Sequence, residues 1–402
     1  MFPCYSPKGL RGVAGHADGA TASILDYVIS YLDHAATSPM RREAIDAMMP
    51  YITTYYGNPS GSHSVSRQAR DAVEDARDRM AEHLGCLPSE VVFTSGGTEA
   101  DNLAVMGVHK ARGGRVLCSA FEHRGVLAPC SDIGATLIRV NHGGIVDLDY
   151  LESLLDPEVS LVSVMLVNNE VGTIQPISTI AAMMRLRSPQ AILHTDAVQA
   201  ASWMDLSEEA RDAALISVSA HKVGGPKGVG ALVIRDGTPY NPLLRGGSHE
   251  NSRRPGTHNV AGIVGMAAAF DAAAKVRDEE KERVSKLRDH FADLLRSSIE
   301  IMEETAADRF AKVPGTLSVI FDGVDQQELL FLIDERGVCA SGGSACSSGA
   351  IQPSHVLLAM GYPHQEARGA VRFSLGHTTT LEEIESAAEV VISSVEQLRK
   401  AS

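Results

Sequence analysis

The sequence predicts an α/β fold: a mostly parallel sheet flanked by helices, followed by a smaller α+β unit. Three observations lead there. Short apolar runs alternate with helical patterns from residue 91 to residue 235. One unbroken helical pattern then spans 260–300, and after it the order of strands and helices changes. Alternation of strand and helix is what parallel strands joined by crossover helices produce.

Taken in order, residues 1–30 hold Gly, Ala, Pro and Ser with no continuous apolar stretch. They read as a partly disordered extension rather than a secretory signal. Residues 67–84 place Ala69, Ala72, Val73, Ala76, Met80 and Leu84 at helical spacing, with Gly85 as the stop. A short buried strand is expected at 91–93, and helix resumes after Thr98. Further strands are expected at 115–119, 136–140, 161–167, 191–195, 215–219 and 231–235, with helical stretches between several of them. The 260–300 helix has a charged middle, 277–288, which reads as a solvated face. A strand at 316–321, a helix at 327–335, a strand at 370–375 and a terminal helix at 381–400 complete the chain.

Composition narrows the function classes. A chain of 402 residues suits two domains. Its net charge of −14 argues against nucleic acid or an anionic membrane as a general partner. No apolar run approaches membrane-spanning length. The six cysteines, Cys4, Cys86, Cys118, Cys130, Cys339 and Cys346, form no CxxC pair, and HExxH is absent, so no metal site is expected. Few, scattered cysteines in a chain this large fit a reducing compartment, and a cytoplasmic location is expected.

In open α/β sheets ligands sit beyond the carboxyl ends of strands, so chemistry is sought there. Ser95-Gly96-Gly97-Thr98-Glu99 lies between a strand and a helix. Its glycines allow close approach to a ligand, and the free N–H groups of the helix favour an anion such as phosphate. Asp196 ends an apolar strand, where it is either a helix cap or a carboxylate for a cationic ring nitrogen. Lys222 follows another apolar strand and leads into a glycine-rich loop. Most lysines are solvated, but burial at a strand end would lower the pKa of this one and make it a Schiff-base nucleophile. Its rival Lys227 lies further into the loop. His123 also follows a strand, either as an ordinary polar residue or as a ring-facing proton carrier. Phosphate cradle, ring-nitrogen carboxylate, ring-facing histidine and amine nucleophile together make the set that pyridoxal phosphate (PLP) requires. Finally, Cys346 stands among glycines, serines and alanines at 340–349, where a thiol gains reach. Cys339, at a strand end, reads as structural.

These residues fall within segments that resemble a known family. The segments are Tyr31–Thr37 (YLDHAAT), Gly57–Ser60 (GNPS), the SGGTE run at Ser95, EHRGVL at Glu122, VNNEVGTIQP at Val167, HTDAVQ at His194, SAHKVGGPKGVGAL at Ser219, RRPGT at Arg253, GSACSSG at Gly343 and VRFSLG at Val371. In this order the chain resembles the cysteine desulfurases of the class V aminotransferase superfamily, of the long-loop group I type. The likeness runs from Tyr31 to the C-terminus.

The resemblance implies PLP fold type I. Residues 38–270 would form a large domain with a mostly parallel seven-stranded sheet. Residues 31–37 and 271–402 would form a small α+β domain carrying the cysteine loop. It also implies roles. Lys222 bonds PLP covalently, His123 stacks on the ring and handles protons, Asp196 pairs with the ring nitrogen, and Gln199 meets the ring hydroxyl. Gly97, Thr98, Ser219 and His221 hold the phosphate. Thr257 reaches the phosphate of a neighbouring subunit, which implies a homodimer. Asn169 and Arg372 hold the substrate carboxylate, and Cys346 accepts sulfur from L-cysteine as a persulfide. A sulfur acceptor or scaffold protein is the implied partner, in iron–sulfur cluster assembly or tRNA thiolation. The sequence departs from the family at Ser38, where a second Thr is frequent, at Gly97, where Ala is frequent, and at Pro255, where Ser is frequent.

Overall fold

The computed structural model describes residues 29–308, 311–342 and 353–401. Its centre is a seven-stranded sheet. From edge to edge the strands are Val91–Thr94, Gly230–Ile234, Leu215–Ser219, Ile192–Asp196, Val159–Ser163, Arg115–Ser119 and Thr136–Ile138. The last five run parallel to one another. Gly230–Ile234 pairs antiparallel with both of its neighbours.

Strand periodicity explains why these runs are apolar on both sides. Val116, Leu161, Leu215 and Leu232 join one buried cluster, and their successors Leu117, Val162, Ile216 and Val233 join another. Successive side chains point to opposite faces, so a sheet covered twice needs apolar residues at every position. The helix Gly97–Arg112 covers one face through Ala100, Leu103, Ala104 and Val108.

The helix expected at 67–84 spans Ser64–Leu84, and Gly85 ends it with a left-handed φ of 58°. The strand expected at 161–167 keeps its regular ladder only over Val159–Ser163. Val164 and Leu166 still donate to the carbonyls of His194 and Asp196, but Val167 bridges instead to Ile174. The chain therefore turns away toward Asn169 where the sequence reads as one continuous strand. Two helices had no clear signature: Arg42–Thr53, which carries Pro50, and Arg124–Asp132, which carries Pro129.

The helix Val260–Ser298 is buried on nearly every side over Gly262–Phe270 and then only at Ala273, Val284, Arg288, Phe291, Ala292 and Leu295. Its first part belongs to the main core. Val284, Phe291 and Leu295 join a second core with Leu32, Leu317, Phe373 and Val391. That second core backs an antiparallel sheet of Ala370–Ser374, Thr316–Phe321 and Met302–Glu304. Ser30–Tyr31 pairs in parallel with Val338–Cys339, and Asp33 bridges to Ser374. These pairings bring residues 31–37 and Arg372 to the carboxyl ends of the main strands. Among the described residues no helix is long and apolar enough to cross a membrane.

Candidate active site

A cavity of about 370 Å³ opens at the carboxyl ends of the central strands. Of the eleven described residues predicted for the site, ten line it: Gly97, Thr98, His123, Asn169, Asp196, Gln199, Ser219, His221, Lys222 and Arg372. The eleventh, Thr257, is exposed and lies outside the cavity wall. Cys346 lies outside the described residues.

Lys222 enters from the turn that follows Leu215–Ser219. Its Nζ donates to the carbonyls of Ala35 and, at 2.7 Å, Ala36. Its backbone carbonyl accepts from the hydroxyls of Ser38 and Ser202. The rival Lys227 is exposed. Lys222 is half-buried, and Lys312, which is buried, is ion-paired with Glu304 away from the cavity.

Asp196 closes the strand Ile192–Asp196 and accepts from the Val198 N–H at 2.9 Å. Burial raises its pKa, while His123, that N–H and Lys222 pull it back down. His123 caps the helix Arg124–Asp132. Its Nδ1 accepts from the Gly125 N–H at 3.0 Å, so the proton of the neutral ring sits on Nε2. Burial lowers the pKa of His123; Asp196 opposes this and Lys222 adds to it. Burial also takes His221 down to about 4, with Lys222 and Lys227 adding to the effect, and its Nδ1 meets the Thr37 hydroxyl at 3.2 Å.

At the other end of the cavity the helix Gly97–Arg112 begins without a side-chain cap. Its first N–H groups are left for a ligand, and the helix dipole favours an anion there. Gly96 has a φ of 150°, a backbone that side chains rarely adopt. A Cβ on Gly97 would lie 2.8 Å from Val198 Cγ2. Glu99 is clamped by Arg254 at 2.7 Å and 3.2 Å, so the acidic residue beside this cradle is neutralised.

Arg372 is almost fully buried. It donates through Nη1 to the Asn169 carbonyl and through Nη2 to Asp33, each at 2.7 Å. Its Nε and the Asn169 Oδ1 are buried with no partner among the described residues. Gln199 donates to the Ala35 carbonyl at 2.8 Å.

Sequence reading missed several cavity residues. Asp101, Arg124, Glu170 and His355 all line it. Asp101 lies one helical turn beyond Gly97, a spacing that places both on one face of the helix and was legible. Glu170 adjoins the predicted Asn169. His355 comes from a distant segment and meets the Glu122 carbonyl at 2.9 Å, a contact that only the fold makes.

The Aminotransferase class-V family profile matches residues 30–386. The chain is 40% identical over 377 residues to "Cysteine desulfurase IscS" of Dictyoglomus turgidum, covering 92% of this chain and 95% of that one. A solved structure described as a NifS-like protein superposes with a TM-score of 0.85 at 33% identity, covering 91% of this chain and 99% of that one. Another, described as SspA in complex with cysteine, has a TM-score of 0.76 at 31% identity, covering 86% and 98%.

Proposed function

The chain belongs to the class-V aminotransferase family and is a PLP-dependent cysteine desulfurase, and we propose that its Lys222 cavity splits L-cysteine into L-alanine and a sulfur taken by Cys346. The observation that carries this reading is the convergence on one cavity of Lys222, Asp196, His123, the uncapped helix at Gly97 and Arg372.

The residues fit PLP on physical grounds. The uncapped helix and the glycine backbone suit a phosphate, with Ser219 and His221 beside it. Asp196 offers a buried carboxylate to a ring N–H, and Gln199 offers an amide to a ring hydroxyl. When bound, PLP withdraws electrons from the substrate α-carbon, which makes that carbon acidic.

The remaining work falls to side chains. Arg372 and Asn169 grip the substrate carboxylate, and the unpartnered Arg372 Nε–H supplies a free donor for it. That grip sets the α-proton toward Lys222, whose amine removes it. His123, neutral and protonated at Nε2, gives and collects protons across the cavity. The Cys346 thiolate attacks the substrate sulfur. The C–S bond breaks toward carbon, sulfur stays on Cys346 as a persulfide, and protonation of the carbon fragment yields alanine.

Four further parts belong to the same proposal. Thr257, exposed here, reaches the phosphate of a second copy in a homodimer. The persulfide passes to an acceptor or scaffold protein serving iron–sulfur assembly or tRNA thiolation. The working compartment is the cytoplasm, since Cys346 must remain a thiol. The large domain covers 38–270, and 31–37 with 271–402 form the smaller one.

The test is one reaction mixture. The purified protein shows a visible cofactor band that changes on adding L-cysteine, while alanine and sulfide appear. A band with no alanine would refute the substrate assignment.

A further inference from the structure

Behind the predicted ring site lies a polar shell that the proposed chemistry leaves unused. Asp101 sits on the first turns of the helix Gly97–Arg112 and is 1% exposed. One of its carboxylate oxygens, one of Asp196 and a ring nitrogen of His123 all lie within 4.8 Å of one another. Asp101 Oδ1 is buried with no hydrogen-bond partner among the described residues.

Among the described residues, the groups facing Asp101 supply no cation to balance it. On the strand Ile192–Asp196, the His194 Nε2 lies 3.7 Å from Asp101 Oδ1. His194 is held between two hydroxyls, Ser163 at 2.8 Å and Ser217 at 3.0 Å, and burial lowers its pKa to about 3. It is therefore neutral. Glu122, in the turn after Arg115–Ser119, is itself a buried carboxyl, accepting from the Ser119 hydroxyl and the Met165 N–H. Cys130 on the helix Arg124–Asp132 adds no positive charge. His123 and Lys222 act on Asp196. Two carboxylates this close in a water-poor site cannot both hold a charge without a counter-ion each.

We propose that Asp101 is a positioning residue of the cofactor site: a neutral carboxylic acid whose proton is directed toward Asp196, which leaves Asp196 as the single negative charge facing the ring nitrogen. The inference rests on the PLP reading and deepens it. Burial, with Asp196 next, pushes the Asp101 carboxyl well above its ordinary range, although Ser217 opposes this. The two carboxyls thus divide the labour, one keeping a proton and one keeping a charge.

The test uses the full-length protein and two variants, Asp101→Asn and Asp101→Leu. The infrared difference spectrum of wild type minus Asp101→Asn at neutral pH contains the carbonyl stretch of a protonated carboxyl. Asp101→Asn, a neutral group of the same shape with a donor, keeps PLP affinity within about threefold, and Asp101→Leu loses about tenfold or more. No protonated-carboxyl band, or equal loss of PLP from the two variants, overturns the inference. Should Asp101→Leu not fold, the band and the Asp101→Asn affinity still decide. Failure of the wild type to bind PLP would overturn the underlying reading. A missing band with PLP bound normally would overturn this inference alone.

Discussion

Glu250 and Asp101 are both buried carboxyls, and the fold treats them in opposite ways. Glu250 is satisfied on every side. Arg77 donates to both of its oxygens at 2.8 Å, His258 meets it at 2.6 Å, and the Phe93 N–H donates at 2.9 Å. Burial opposes ionisation there, but these partners win and hold its pKa at about 2. They also hold a backbone with positive φ at Glu250, Asn251 and Ser252, a strain that persists only where the surroundings over-determine it. Asp101 has an unpartnered oxygen, a second carboxylate nearby and a raised pKa. The difference separates a clip from a site. Of these two carboxyls, the one that only joins elements has its bonds complete, and the one beside the cavity keeps capacity open.

That contrast yields predictions in falling order of size. Lys222→Ala lowers alanine formation by about a thousandfold or more, since it removes the amine proposed to take the α-proton. Residual turnover near the wild-type rate would break the contrast outright. Glu250→Ala destabilises the fold by about 3–5 kcal/mol in urea unfolding, because Arg77 stays buried with only the exposed Glu74 left to pair with it. A loss below about 1 kcal/mol would show that the clip is not structural. Arg372→Lys raises KM for cysteine about tenfold with a smaller effect on kcat, since a point charge replaces a fork. An effect confined to kcat would count against the carboxylate assignment.

The smallest effect is also the sharpest, because the two carboxyls have opposite signs. The folded pKa of Glu250 lies below its ordinary 4.5. Its stabilisation is present above about 4.5 and is lost as pH falls through about 2. The gap between wild type and Glu250→Gln therefore narrows on acidification. The folded pKa of Asp101 lies above its ordinary 3.8. Its contribution is full below that value and is lost as pH rises, so Asp101→Asn gains on wild type with rising pH. Denaturant midpoints across a pH series check both, and slopes of the same sign would contradict the account.

The comparison also shows what could be read in advance. Lys222, Asp196, His123 and Gly97 were legible because each stands at the end of an apolar run, where the chain leaves the sheet. Gly85 was legible because a left-handed stop favours glycine. Asp101 was one turn from a recognised cradle, but as an acidic residue inside a helix it resembles any solvated charge until its burial is known. Glu250 and Arg77 are 173 residues apart, and no local pattern pairs them. His355 and Asp33 reach the cavity region through pairings of short segments that carry little periodicity. The regular ladder stopping at Ser163 was missed because the residues after it stay apolar while their partners change.

The central claim is that Lys222 is the amine that holds PLP. The direct measurement is borohydride reduction of the PLP-loaded protein, followed by proteolysis and mass mapping of the pyridoxyl label. The account predicts the label on the peptide containing Lys222, with none on that site in Lys222→Ala. A label on exposed Lys227, with Lys222 unmodified, would contradict it.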